Sequence, residues 1–188
     1  VVIDSEDMGA YDYAFLNDST ARHNLNHTIA TKNIQPDDYR AVYFVGGKGA
    51  MWDFPKDQYL NQLVRDYYES DKVIGAVCHG PAALTNVLLT SGKPLLEGKK
   101  VSSFTNEEEL FLIADAKDVF PFMLQDKLTE QGSKFVEGTL YLENVVSDGN
   151  LVTGQNPWST WLMAETMITQ LGYEPKPRIK TTEEKAEI

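Results

Sequence analysis

Two short apolar runs, each closed by a glycine-bearing turn, constrain this chain more than any other feature of its sequence. Ala41-Val42-Tyr43-Phe44-Val45 stops at Gly46-Gly47, and Val73-Ile74-Gly75-Ala76-Val77 stops at Cys78-His79-Gly80-Pro81. Apolar runs without polar alternation predict strands buried on both faces, the signature of a parallel sheet covered by helices. Between them, Leu60, Leu63, Val64 and Tyr67 recur at helical spacing and form one apolar face. Pro81 suits the first turn of a second helix. Residues 101–104 read as a third strand, and 107–115 and 122–130 as helices. Val145-Val146 and Leu151-Val152 read as a hairpin or tight turn around Asp148-Gly149. A last helix is capped by Asn156, begins at Pro157, stops at Gly172, and turns Ala164, Met167, Ile168 and Leu171 inward. Strands alternating with helices give an α/β fold with a mostly parallel sheet covered on both faces.

Residues 1–173 read as a single domain, followed by a polar tail, 174–188, rich in Lys, Glu and Pro. Val1-Val2-Ile3 reads as the tail of a strand, which raises an upstream strand–helix unit absent from this chain. Of the 188 residues, 42% are hydrophobic and 24% charged, which fills one core. Twenty-eight acidic against seventeen basic residues give a net charge of -11, and that balance repels a phosphate backbone. A nucleic-acid partner is therefore not expected. No apolar run approaches the ~18 to 20 residues of a membrane-spanning helix, so no membrane partner is expected either. Cys78 is the one cysteine. It cannot form an internal disulfide, which suits a reducing compartment such as the cytoplasm and leaves a packed thiol or a reactive one.

The turn holding Cys78 has the layout of a nucleophile elbow: buried strand, nucleophile, small residue two positions on, then a helix. Gly80 permits the bend, and a helix begun by Pro81 would aim free N–H groups at the sulfur, a setting that favours a thiolate. His79 adjoins the thiol and can take its proton, while the His79 N–H can hold a developing oxyanion. An imidazole base needs an orienting acid. Glu107-Glu108-Glu109 follow the third strand at the same end of the sheet, although such a triplet is ordinarily a solvated helix start. Gly46-Gly47-Lys48-Gly49 lacks the Lys-Ser/Thr pair of a phosphate loop and the third glycine of a dinucleotide fingerprint. Its use is close backbone approach, with the Gly47 N–H as a second oxyanion donor. His23 and His27 lie four apart, but no third ligand accompanies them and no metal site is expected. Trp52, Phe54, Phe120, Phe122, Trp158 and Trp161 read as core or pocket walls.

Four ordered motifs together resemble the ThiJ/PfpI superfamily of class I glutamine-amidotransferase-like proteins. They are Val77-Cys78-His79-Gly80-Pro81-Ala82; Gly46-Gly47-Lys48-Gly49 with Asp53 and Pro55; Gly98-Lys99-Lys100 through Phe104-Thr105-Asn106; and Leu151 through Pro157. The resemblance runs from about Tyr39 to Leu171 and is strongest to the heat-shock chaperone branch with glutathione-independent glyoxalase (glyoxalase III) activity. It implies a flavodoxin-like three-layer sandwich, here lacking its first strand–helix unit, and a homodimer. It also implies a Cys-His-acid triad that falls on Cys78, His79 and Glu109, with Glu107 as the alternative acid, and Gly46 and Gly47 beside the substrate. The implied chemistry is conversion of methylglyoxal, a small reactive aldehyde, to lactate through a cysteine hemithioacetal, without cofactor or metal. Two rival functions share the same thiol: hydrolysis as a peptidase, amidase or deglycase, and a stress holdase or cysteine redox sensor. Relatives commonly carry His where this chain has Lys48, and carry a proton-transferring Glu in an early helix that has no counterpart here.

Overall fold

A computed structural model describes residues 9–177; residues 1–3 and the tail beyond 177, both read from the sequence, lie outside the described residues. The described residues divide into two compact units, residues 9–34 with 177, and residues 35–176. In the first, Asp18 separates helix α1 (Ala10–Asn17) from helix α2 (Ser19–Asn26). The Asp18 N–H ends α1 on the Ala14 carbonyl at 3.1 Å, and its carboxylate caps α2 by accepting the Thr20 N–H at 2.7 Å.

The second unit is built on a four-stranded sheet in the order β1 (Ala41–Phe44), β2 (Val73–Val77), β6 (Leu151–Gly154), β5 (Val145–Asp148). β1, β2 and β6 run parallel, and β5 returns antiparallel to β6 through the turn at Gly149. β2 is buried along its whole length, as its apolar run predicts. β1 differs from its expectation. Only Phe44 is buried and Val45 is 63% exposed, because among the described residues β1 is an edge strand paired with β2 alone.

Two helices cover the sheet from opposite sides. Helix α4 (Gln58–Glu69) is capped by Asp57 and buries Leu60, Leu63, Val64 and Tyr67, the face its spacing foretold. Helix α8 (Thr160–Gln170) packs Met163 and Met167 against Val73, Val77 and Val152. Gly75 lies under it, since a Cβ there would sit 2.2 Å from the Met167 sulfur. Side chains of β2 alternate, so Ile74 and Ala76 turn to the other face. The inward face of α8 is shifted from the expected one: Met163 is buried and Ile168 is exposed. Packing decides the face: Met163 and Met167 sit against Val73, Val77 and Val152, which turns Ile168 outward.

Two further expectations are corrected. Residues 101–104 form no long strand. β3 is Lys100–Val101, pairing in parallel with β4 (Lys134–Phe135) in a separate small sheet. Beyond Val101 the chain spends its donors on single contacts, Ser102 N–H on Thr153 Oγ1 and Phe104 N–H on the Cys78 carbonyl, both at 2.9 Å. The helix expected at Pro81 is a buried 3₁₀ turn, Gly80–Leu84. The Thr85 hydroxyl closes it by donating to the Ala82 carbonyl at 2.7 Å, and Asn86 leaves at φ +63°. Shorter helices complete the unit: α3 (Ala50–Asp53), α5 (Asn106–Leu112), α6 (Ala116–Val119) and α7 (Leu124–Glu130).

Candidate active site

Cys78 follows the last residue of β2 with φ +60°, a left-handed conformation that costs a non-glycine residue roughly 1–2 kcal/mol. Two backbone hydrogen bonds hold it there: its N–H donates to the Gly154 carbonyl and its carbonyl accepts from Phe104 N–H, both at 2.9 Å. Two glycines make room for the turn. A Cβ on Gly80 would lie 2.1 Å from the Phe44 carbonyl oxygen, and one on Gly46 would lie 2.7 Å from Cys78 Cβ. Cys78 is half-buried and packs against the cluster of Val73, Val77, Val152, Met163 and Met167.

His79 is buried, 2% exposed, with its ring tilted against Phe104 at 4.9 Å and Phe120 at 6.4 Å. Its Nδ1 faces Cys78 Sγ at 3.2 Å and its Nε2 faces Glu109 Oε2 at 2.5 Å. A carboxylate only accepts, so Nε2 carries hydrogen and Nδ1 is free to exchange a proton with the sulfur. Burial disfavours the charged ring, but the Cys78 sulfur and the Glu109 carboxylate outweigh it and raise the His79 pKa to about 9. Because the turn after Cys78 is a short 3₁₀ turn, its macrodipole is small, and the imidazole is the cation that faces the sulfur.

Helix α5 sorts the three acidic residues. Glu107 is exposed to solvent, Glu108 is fully buried and Glu109 is buried against His79. The sorting agent is Glu108, which sequence reasoning missed. Its Oε2 accepts the Thr105 N–H at 3.0 Å, while Thr105 Oγ1 accepts the Glu108 N–H, a capping box. Its Oε1 accepts Tyr141 N–H at 2.9 Å, Gln155 Nε2 at 3.0 Å and Asn156 Nδ2 at 2.8 Å. The Thr-x-x-Glu spacing carried a signal for the cap, though none for the burial.

Lys48 Nζ lies 4.0 Å from Glu109 Oε1. Gly47 has φ +99°, and its carbonyl accepts the Ala50 N–H at 3.0 Å. Among the expected pocket aromatics, Phe120 is buried beside His79, and half-exposed Trp52 lies 5.3 Å from the Phe120 ring. His23 and His27 stack on each other at 4.0 Å in the first unit, with His27 Nδ1 against the His23 carbonyl. No group of three or more His, Cys, Asp or Glu suited to a metal ion occurs among the described residues. A thiol, a base in contact with it and an acid behind the base can together form a thiolate and deliver it to an electrophilic carbon.

A mostly parallel α/β sandwich with a thiol on a strained strand-to-turn elbow, backed by imidazole and carboxylate, defines a class of flavodoxin-like cysteine-elbow domains. The chain belongs to the DJ-1/PfpI family, whose model matches residues 17–170. It is 31% identical over 155 residues to Glyoxalase 3 of Candida albicans, covering 77% of this chain and 66% of that protein. It is 32% identical over 157 residues to the glutathione-independent glyoxalase HSP31 of Saccharomyces cerevisiae, covering 78% and 65%. The chain therefore spans just under two thirds of these relatives' length. Among solved structures it is similar to Rapid Encystment Protein 24 KDa of Francisella tularensis, with a TM-score of 0.84 and 34% identity over 89% of this chain and 73% of that one. Glyoxalase III from Candida albicans superposes with a TM-score of 0.82 at 27% identity, over the same shares. No helix among the described residues is long and apolar enough to cross a membrane.

Proposed function

We propose that this chain is a glutathione-independent glyoxalase-type enzyme that converts methylglyoxal to lactate on Cys78. The observation that carries this reading is the line from Cys78 Sγ through His79, 3.2 Å at Nδ1, to Glu109, 2.5 Å from Nε2. The names of the two yeast relatives support the substrate class. The Cys78 proton rests on His79, and the sulfur adds to the aldehyde carbon while that proton passes to the aldehyde oxygen, giving a hemithioacetal. A base then moves the proton of that carbon to the neighbouring carbonyl carbon through an enediol, leaving a lactoyl thioester. Water hydrolyses the thioester, releasing lactate and restoring the thiol. Oxidation of one carbon balances reduction of the other, so no external oxidant enters. The Gly47 and His79 amides serve as donors to the oxyanions, Gly46 allows their approach, Glu109 orients His79, and Glu107 plays no part. The same reading makes the protein a homodimer in the cytoplasm, where a lone thiol stays reduced.

The test is methylglyoxal consumption and lactate release by the 188-residue chain and its Cys78→Ala variant. The expected result is turnover by the parent and a loss of about 1000-fold or more in the variant. Equal rates in the two proteins would sink the reading.

A further inference from the structure

The two carboxylate oxygens of Glu109 sit in different surroundings. Oε2 receives the His79 Nε2–H. Oε1 is buried and meets no hydrogen-bond donor among the described residues. A buried oxygen left without a donor is destabilising, and a carboxylate held at one oxygen only can still turn about its terminal torsion. Facing Oε1 at 4.0 Å is the ammonium group of Lys48. That side chain is held from the glycine turn, where the Lys48 carbonyl accepts the Met51 N–H at 3.1 Å and fixes the backbone. Its side chain is 42% exposed.

We propose that Lys48 is a positioning residue: its charge holds the free oxygen of Glu109, so that the other oxygen keeps His79 aimed at Cys78. The inference rests on the thiol-enzyme reading above and adds to it a residue outside the triad. One carboxylate is shared by two cations, one at each oxygen. At 4.0 Å the Lys48 contact is electrostatic rather than a hydrogen bond, so it depends on the charge at position 48 more than on the shape of the side chain. Without that charge Glu109 Oε1 turns toward water, the His79 bond lengthens, and the ring loses its alignment with the sulfur. Because Lys48 acts through Glu109 and His79, its loss lowers turnover and leaves substrate affinity nearly unchanged.

The test compares the 188-residue chain with its Lys48→Met and Lys48→Arg variants in two measurements. One is kcat and KM for methylglyoxal. The other is the far-downfield proton resonance of the His79 Nε2–H, which reports the bond to Glu109 in the absence of substrate. Lys48→Met is expected to lower kcat by about five- to tenfold with KM within about twofold, and to move the resonance upfield. Lys48→Arg restores most of both. A Lys48→Met variant that keeps its kcat and its resonance overturns the proposal, as does a rise in KM at constant kcat, which would make Lys48 a substrate contact. If the parent chain does not consume methylglyoxal at all, the functional reading fails while the resonance still decides the role of Lys48.

Discussion

Gly46 lies so close to Cys78 that a Cβ at position 46 would fall 2.7 Å from the Cys78 Cβ and 2.8 Å from the Val77 carbonyl oxygen. The turn after β1 and the elbow after β2 are therefore closely fitted, and Cys78 Cβ stands at their seam. Neither contact point is a flexible side-chain end, so relief requires the main chain to move. Gly46→Ala is expected to destabilise the fold by about 1–3 kcal/mol and to slow alkylation of Cys78 by iodoacetamide. Denaturant unfolding and a thiol-labelling time course measure the two effects. A variant that keeps both the parent's stability and its labelling rate would contradict the close fit.

Glu108 is fully buried and receives hydrogen bonds from Thr105, Tyr141, Gln155 and Asn156. Truncation leaves these donors buried without an acceptor. Glu108→Ala is expected to destabilise by about 3 kcal/mol or more, because several buried donors depend on that one acceptor. Since Glu109 follows directly, turnover should fall with it. Glu107→Ala, at the exposed neighbour, should change neither quantity. Melting temperatures and methylglyoxal turnover for the pair of variants decide the matter, and equal behaviour of the two would remove Glu108 from the account.

His79 gives the fold a pH dependence with a definite sign. Its folded pKa is raised to about 9 from the ordinary 6.5, with burial opposing the rise and the Cys78 sulfur and Glu109 driving it. The folded state thus binds a proton that the unfolded state has released at the pH values in between. This contribution to stability is complete below 6.5 and is lost as pH rises through about 9. Glu109→Gln removes one of the groups that raise the value, so the stability of that variant should decline over a narrower range. Unfolding free energies measured at steps across this window test it. A parent protein whose stability rises over the same interval would show that the ring is not held charged.

The parts of this architecture that were legible in the sequence are the ones decided within a few residues. Val73 to Val77 is apolar throughout and becomes the buried central strand, and Cys78-His79-Gly80 places thiol, imidazole and bend in three consecutive positions. What lay beyond reach depends on contacts distant in the chain. Choosing among three adjacent glutamates requires knowing that Tyr141, Gln155 and Asn156, at separations of 33, 47 and 48 residues, bind Glu108 and so turn Glu109 inward. Pro81 suits both an α-helix and a 3₁₀ turn, and the choice falls to Thr85 and Asn86 at its end. The inward face of α8 slipped because it is set by Met163 and Met167 packing on Val73, Val77 and Val152, and two of these partners lie more than 80 residues away in the chain.

The elbow strain at Cys78 can be isolated by two substitutions that both remove the sulfur. Alanine keeps a Cβ and must still adopt φ +60°, whereas glycine occupies that region freely. Glycine also gains more entropy on unfolding, which takes back part of the relief. Relief of roughly 1–2 kcal/mol against an entropic loss of roughly 0.5–1 leaves Cys78→Gly more stable than Cys78→Ala by about 0–1.5 kcal/mol. Elsewhere in a strand the order is the reverse, so the sign alone is diagnostic. Unfolding curves of the two variants under identical conditions provide the measurement. Were alanine the more stable of the two, the left-handed backbone would not be a strained feature of the native state.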